Sequence, residues 1–193
     1  MYKKGDIYSI QNYRPISILY IFSRILEKLM YSRLTIFLNK CNIITEVQNG
    51  FRKLKSPSTA LHPFIERIQE TLVNGLQAID LFFYLTKAYD VLDHRVLLNK
   101  LYSYGVRGNI NSRFKSYLID RKQFVEINQS DHLNFKQHKY IFSFKVLKRG
   151  VPQGSVVEPL LLLVYINDLP LKVEDGQLVL LVDDINLLII ERD

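Results

Sequence analysis

Cysteine is nearly absent from this chain of 193 residues, since Cys41 is the only one. A single cysteine excludes an intrachain disulfide and a zinc site built from cysteines, and it is typical of a reducing compartment. The first ten residues, "MYKKGDIYSI", lack the apolar core of a signal peptide. The longest apolar stretch, "PLLLLVYI" at 159–166, is too short to span a bilayer. We therefore expect an intracellular protein of the cytoplasm or nucleus that does not bind in a membrane.

Internal repeats and low-complexity segments are also lacking, and the composition indicates a folded core. Hydrophobic residues make up 48% of the chain and aromatic residues 12%, which argues against disorder. Lysine and arginine number 26 against 19 acidic residues, so the formal net charge is +7. This balance favours an anionic partner such as nucleic acid, although a merely basic protein remains an alternative.

The order of apolar patterns predicts helices and strands that do not alternate strictly. Helical spacing begins at Ser17, which we expect to cap the first helix, and continues to Leu38. A second helix is expected to end near Leu72, with Pro63 in its first turn. The further predicted elements are a buried strand at 76–85, helices at 91–104 and 110–120, paired strands at 122–128 and 141–147, a helix ending near Asn167, and strands at 177–182 and 185–190. This order predicts an α+β fold with a largely antiparallel sheet backed by helices.

The stretch "LVLLVDDINLLI" at 178–189 places Asp183 and Asp184 inside an apolar run. One interpretation is an ordinary β-hairpin, because Asp and Asn are frequent turn residues. The other is a metal site at a hairpin tip, since Mg²⁺ prefers one or two carboxylates together with substrate phosphates. This stretch by itself does not decide between them.

Three further stretches suit contacts with phosphate or nucleic acid. Lys3, Lys4 and Arg14 flank a turn that could hold a triphosphate, or could form a solvated basic turn. The loop "QNGFRKLKSPS" carries Arg52, Lys53 and Lys55 beside an aromatic residue, which suits a nucleic-acid backbone as well as it suits solvent. The stretch "GVPQGS" at 150–155 precedes a helix, where glycines permit close approach to the backbone.

Taken together and in order, "NYRPIS", "QNGFR", "KAYD", "GVPQGS" and "VDD" resemble the reverse transcriptases of non-LTR, jockey-like retrotransposons. The resemblance extends from about Tyr2 to Ile190. It implies the fingers (about 1–75) and palm (about 76–193) of a right-hand polymerase, acting on an RNA template, a DNA primer and deoxynucleoside triphosphates. The segments that would form a thumb or an endonuclease are not expected within these residues.

The resemblance also assigns roles to individual residues. Asp183 and Asp184 match the catalytic aspartates that bind Mg²⁺, and Tyr89 matches the aromatic residue that excludes a 2′-hydroxyl. Lys3, Lys4 and Arg14 match the residues that contact the incoming triphosphate. Gln153 and Gly154 match the loop that packs on the template and the nascent base pair.

The chain departs from the family at a residue that the chemistry requires. Two-metal phosphoryl transfer holds two cations about 3.5–4 Å apart, and a third carboxylate on a neighbouring strand normally helps to bridge them. Tyr84 stands at that position, and tyrosine is neutral near pH 7 and bulky. Asp80 is about 13 Å from position 84 along a strand, so it is a poor replacement, and Asp90 follows the strand and matches a different family position.

Two further departures accompany Tyr84. Glu158 replaces a family glycine in a tight turn of helix, and Val182 replaces alanine beside the aspartates. We therefore expect a reverse-transcriptase domain whose catalysis is impaired. The alternatives are a non-catalytic nucleic-acid-binding remnant and a pseudogene product without function.

Overall fold

The computed structural model describes residues 4–6, 9, 12–13, 16–131, 136–173, 176–182 and 184–190, with the side chains of 129–131 and 136–138 left aside. Helices and strands mix within these ranges as the α+β prediction requires. The helices are α1 (Ile21–Lys40), α2 (Pro57–Val73), α3 (Ala88–Val91), α4 (His94–Ser103), α5 (Gly108–Leu118) and α6 (Glu158–Ile166). The strands are β1 (Ala78–Tyr84), β2 (Lys122–Gln123), β3 (Glu126–Asp131), β4 (Lys136–Ile141), β5 (Lys145–Val146), β6 (Gln177–Leu181) and β7 (Asp184–Ile190).

The chain divides into two compact units, and residues 1–92 with 151–193 form the first. Its sheet has the order β1-β7-β6, and both strand pairs are antiparallel. The predicted hairpin at 177–190 is confirmed, with β6 and β7 as its two strands. The sheet therefore places β7, the strand that follows the acidic turn, between β1 and β6.

Each face of this sheet packs against a buried apolar cluster. Because side chains alternate along a strand, Val179 and Leu188 face α2, where they pack with Ala60 and Phe64. The opposite face buries a second cluster made of Leu178, Leu180 and Ile185. Each face thus has an apolar core beneath the middle of the hairpin, and this fixes the register of β6 against β7.

The prediction that residues 76–85 form a buried strand is wrong in its burial. β1 is an edge strand, and its burial pattern runs from partly buried at Ala78 and Asp80 to exposed over its last four residues. Phe82 is 73% exposed and Tyr84 is 57% exposed. Aromatic content predicted the strand correctly, but an edge position leaves its second half without a covering element among the described residues.

The first helix begins later than the sequence predicted. Ser17 does not cap it: α1 starts at Ile21 after Tyr20, and the backbone N–H of Ser17 instead donates to the Gln153 carbonyl at 3.1 Å. The buried residues of α1 are Glu27, Met30, Leu34 and Leu38, whereas apolar residues of its first half, including Phe22 at 85%, are exposed. The apolar period predicted the helix correctly. The contacts of the folded chain, however, leave the apolar residues of its first half exposed and bury Glu27.

The second helix also begins elsewhere than predicted. Ser56 and Thr59 form a capping box, and Pro57 occupies the first turn. Pro63 therefore lies inside α2 rather than in its first turn. In the interior of the helix, a proline removes one backbone hydrogen bond. The reciprocal side-chain bonds of the capping box fix the helix start, and they outweigh the preference of Pro63 for an N-terminal position.

Residues 93–150 form the second unit. Asp93 caps α4 by accepting from the N–H groups of Arg95 and Val96, and α4 packs against α5. The predicted pairing of 122–128 with 141–147 is confirmed in part: β2 pairs with β5, and β3 pairs with β4. The paired strands extend further than predicted, because β3 continues to Asp131 and β4 begins at Lys136. Within the described ranges, no helix is long and apolar enough to cross a membrane.

Candidate active site

The first unit brings Tyr84 and Asp184 side by side. In the antiparallel pair of β1 and β7, Tyr84 is the register partner of Asp184, and Leu181 of β6 is the partner on the other side. Directly opposite residues project from the same face, with Cβ atoms about 4.5–5.5 Å apart. The structure therefore places the Tyr84 side chain beside that of Asp184.

A shallow cavity of about 270 Å³ opens at this row of residues. Its lining comes from the ends of the three strands: Phe82, Phe83, Tyr84, Leu181, Asp184 and Asn186. Asp184 is exposed and, among the described residues, is the one carboxylate in this lining. A larger depression of about 420 Å³ runs along α2, but it is lined by one helix face and holds no candidate residue.

The turn between β6 and β7 carries backbone strain. Val182 has φ = 65°, in the left-handed region that a β-branched residue rarely adopts. A residue held in this way costs on the order of 1–3 kcal/mol, and it persists only where surrounding contacts determine it. The replacement of the family alanine by valine at this position therefore adds strain next to the acidic pair.

The described residues at this site do not supply the ligands for two divalent cations. Asp184 contributes one carboxylate, Tyr84 contributes a phenol, and Asp183 and its contacts lie outside the described residues. Elsewhere in the described ranges, no cluster of three or more His, Cys, Asp or Glu side chains has a metal-binding arrangement. The donor set seen here does not fit a two-ion site.

Asp80 does not replace the missing carboxylate. It pairs with Leu188, four residues along β1 from Tyr84. Its Oδ1 is buried and has no hydrogen-bond partner among the described residues, and burial raises the pKa of this carboxyl above its ordinary value. Asp80 is thus a poorly solvated acid away from the acidic turn.

The loop before α6 lies beside α3. The N–H of Val151 donates to the Tyr89 carbonyl at 2.9 Å, and Gln153 Nε2 lies 3.5 Å from Asp90 Oδ1. Tyr89 is half-buried. The structure therefore brings Tyr89 and Gln153 together, although they are far apart in sequence.

Glu158 reaches back over the same loop. Its Oε2 accepts a hydrogen bond from the N–H of Gly154 at 2.6 Å, and its own N–H donates to Ser155 Oγ at 3.2 Å. Burial is the largest cause of a raised pKa for Glu158, and the nearby carboxylates of Asp90 and Glu27 raise it further, against the lowering effect of the Gly154 and Ser155 bonds. The carboxyl group of Glu158 is thus hydrogen-bonded to the N–H of Gly154, the residue that was predicted to pack on the template.

The predicted basic contacts have different surroundings. Arg52 and Lys55 both form ion pairs with Glu46, at 3.1 Å and 2.9 Å. Arg52 Nη1 also donates to the carbonyls of Thr45 and Gln48, which ties it into its own loop. Lys53 is exposed, and so is Lys4. Lys3 and Arg14 lie outside the described residues.

Sequence analysis did not single out three residues that organise this unit. Glu27 is buried and accepts from the N–H of Val156 at 2.9 Å, which joins α1 to the loop before α6. Gln48 and Gly50 both contact the turn at Val182. A signal was present for Glu27, because it shares a helical row with Met30 and Leu34. None marked Gln48 beyond its place in "QNGFR".

Comparison with known proteins identifies the family of this chain. Residues 2–193 match the family described as "Reverse transcriptase (RNA-dependent DNA polymerase)". The chain therefore belongs to the reverse transcriptase family.

The relatives that it matches include proteins of Drosophila transposons, which confirms the resemblance to non-LTR elements. The chain is 31% identical over 168 residues to the probable RNA-directed DNA polymerase from transposon BS of Drosophila melanogaster, covering 84% of this chain and 17% of that protein. It is 29% identical over 161 residues to the RNA-directed DNA polymerase from mobile element jockey of the same organism, covering 83% of this chain and 16% of that protein. The chain thus spans about a sixth of the length of these relatives.

A solved structure shares the fold at low sequence identity. Apo telomerase from Candida tropicalis superposes with a TM-score of 0.59 and 13% identity, covering 84% of this chain and 31% of that one. At this identity, the likeness supports the fold alone.

Proposed function

We propose that this chain is a reverse-transcriptase domain of a retrotransposon that binds template and primer but is impaired in DNA synthesis. The observation that carries the proposal is the pairing of Tyr84 with Asp184 in the β-sheet. In this proposal Tyr84 stands where a carboxylate would help to bridge two metal ions, and its phenol group does not supply one. Transfer of a deoxynucleotide to a primer 3′-hydroxyl is the ancestral reaction, and Tyr84 weakens it.

The proposed partners are an RNA template, a DNA primer and deoxynucleoside triphosphates. In this proposal residues 1–75 act as fingers and 76–193 as palm. Lys3, Lys4 and Arg14 contact the triphosphate, while Tyr89, Gln153 and Gly154 surround the nascent base pair. Asp183 and Asp184 are the residues that would hold Mg²⁺, in a site left incomplete by Tyr84.

Glu158 supports the same conclusion from a second position. Its carboxyl group occupies the Gly154 N–H and lies with Glu27 and Asp90 around the loop that would meet the nucleic acid. The Gly154 N–H, bonded to Glu158, is then not available to a phosphate oxygen of the nucleic acid. Impairment therefore has two sources, one at the metal ligands and one at the template loop.

A non-catalytic nucleic-acid-binding remnant is the second candidate function. The net charge of +7 and the exposed Lys4 and Lys53 favour it, because these features do not depend on an intact metal site. The two candidates share nucleic-acid binding and differ in residual DNA synthesis. A product without function would bind no nucleic acid in a salt-dependent manner.

Filter binding of a single-stranded RNA across a salt series, combined with primer extension, tests the proposal. We expect log affinity to fall linearly with log salt, with a slope near −0.7 for each phosphate neutralised, and no detectable extension by the wild-type chain. Replacing exposed Lys53 with alanine should reduce the slope more than Lys55→Ala, since Lys55 is paired with Glu46. Binding that does not depend on salt would contradict both candidate functions. Robust primer extension by the wild-type chain would contradict the proposed impairment.

A further inference from the structure

The segment that contains Gln48 lies along the edge of the acidic hairpin. The N–H of Leu180 donates to the Val47 carbonyl at 3.0 Å, and the N–H of Asn49 donates to the Leu180 carbonyl at 2.8 Å. Gln48 is thereby bridged to Leu180 in a parallel arrangement. This short addition to β6 ends at the turn that leads into β7.

The side chain of Gln48 is directed at the turn itself. Gln48 is 1% exposed, and its Oε1 accepts hydrogen bonds from the N–H of Gly50 at 2.8 Å and of Val182 at 3.2 Å. Two backbone donors on one atom fix that atom as the oxygen of the amide. The Nε2 group is buried and has no partner among the described residues.

Gly50 permits this close approach. A Cβ at position 50 would lie 2.8 Å from the backbone nitrogen of Val182 and would overlap its Cγ2. Position 50 therefore has to lack a side chain for Gln48 and the turn to meet. Gln48 and Gly50 both act on Val182, the residue with φ = 65°.

We propose that Gln48 is the positioning residue of the acidic hairpin: its Oε1 holds Val182 in the left-handed conformation and so sets the path of the backbone into β7, which begins at Asp184. Val182 is β-branched and disfavours this conformation by itself, so an external acceptor for its N–H is needed to keep it. The acceptor comes from a different segment, 134 residues away in sequence. The part of the proposal that concerns metal binding rests on the proposed function of the aspartates.

The variants test the Oε1 and Nε2 atoms of the Gln48 amide separately. Gln48→Met keeps the length and volume of the side chain and removes the acceptor. Gln48→Glu keeps acceptor oxygens for the two N–H groups and replaces the Nε2 group, which has no partner among the described residues, with oxygen, so it should retain the bond to Val182. Asn49→Ala is the matched control, because Asn49 Nδ2 donates to the Val47 carbonyl in the same loop and leaves Val182 untouched.

Amide hydrogen exchange followed by NMR is the first measurement. We expect Gln48→Met to lower the protection of the Val182 and Gly50 amides by about tenfold, the loss that corresponds to one hydrogen bond, relative to the amide of Leu188. Gln48→Glu and Asn49→Ala should retain the protection of Val182. Unchanged protection of Val182 in Gln48→Met overturns the proposal, as does an equal loss over the whole of β7.

Binding of Mn²⁺, measured by water-proton relaxation, is the second measurement. Gln48→Met should weaken binding several-fold, and the loss should shrink in a Val182→Gly background, because glycine adopts the left-handed conformation without help. An equal loss in both backgrounds overturns the proposal. If Asp184→Asn leaves Mn²⁺ binding of the wild-type chain unchanged, the proposed metal role of the aspartates fails, while the exchange measurement still decides the role of Gln48.

Discussion

Replacing Tyr84 with aspartate is the most informative perturbation of this chain. The register of β1 and β7 places the new carboxylate directly opposite Asp184, at the spacing of cross-strand neighbours. Under the proposed function, the variant therefore supplies the third carboxylate. In the absence of metal, it also brings two like charges together.

The expected cost of that repulsion is small, because both side chains reach solvent. Tyr84 is 57% exposed and Asp184 is also exposed. Two unit charges about 4 Å apart interact by about 1 kcal/mol in water, and by about 4 kcal/mol in a less polar protein surface. We take the lower figure, which corresponds to a decrease in melting temperature of about 2–4 °C for a domain of this size.

A divalent cation should reverse this loss. Binding to the native state adds about 2.7 kcal/mol of stability when free Mg²⁺ is 100-fold above its Kd, which exceeds the repulsion. The pKa of one of the paired carboxyls should rise in the metal-free variant, so that it is protonated first as the pH falls. The variant should thus be less stable than wild type without Mg²⁺ and more stable with it.

The assay is thermal unfolding of wild type, Tyr84→Asp and Tyr84→Asn, with Mg²⁺ or with KCl at the same ionic strength. Tyr84→Asn removes the same ring without adding charge, so the difference between the two variants isolates the carboxylate. Primer extension on the same proteins should show a gain of at least about 10²-fold for Tyr84→Asp over wild type, the usual effect of one preorganised charged group.

Equal responses of Tyr84→Asp and Tyr84→Asn to Mg²⁺ would refute the reasoning, because the carboxylate would then not contribute to a metal site. Robust synthesis by the wild-type chain would show that Tyr84 does not impair the site. A Mg²⁺ response without a gain in synthesis would move the main defect to Glu158 and the template loop.

Two further predictions concern the loop before α6 and its neighbour α3. In the Tyr84→Asp background, Tyr89→Ala should raise the use of ribonucleotides relative to deoxyribonucleotides in primer extension, since the ring would no longer exclude a 2′-hydroxyl; unchanged discrimination would contradict the role assigned to Tyr89. The pKa of Glu158 is raised above its ordinary 4.5, so the unfolded chain loses this proton first and stability should fall as pH rises from about 4.5 through the folded pKa. Urea unfolding between pH 4 and 7 should show a flatter profile for Glu158→Gln, and parallel profiles for the two proteins would contradict this.

Local patterns predicted most elements because their causes are local. The hairpin of β6 and β7, the helix after "GVPQGS" and the helix ending before Gly105 follow from apolar period, turn residues and capping. The start of α2 could have been found in the same way, since the capping box of Ser56 and Thr59 is written in the sequence. Pro63 is a competing signal for a helix start, and it predicted a start that is too late.

The errors concern burial, which depends on neighbours that a local pattern does not contain. The aromatic run of β1 reads as a buried strand, yet its place at the sheet edge leaves Phe82 and Tyr84 exposed. The apolar residues in the first half of α1 are exposed, while Glu27 is buried against the loop before α6. Composition cannot specify which face of an element meets the rest of the molecule.

The sequence by itself determined the family and the chemical anomaly at Tyr84, because motif order and residue type are one-dimensional information. The tertiary structure decided which residues meet: Tyr84 with Asp184, Glu158 with the Gly154 amide, Arg52 and Lys55 with Glu46, and Gln48 with Val182. These contacts join segments by sheet register and by hydrogen bonds between backbone and side chain. Such bonds form between residues that are close in space, and Gln48 and Val182 are bonded although they lie 134 positions apart in the chain.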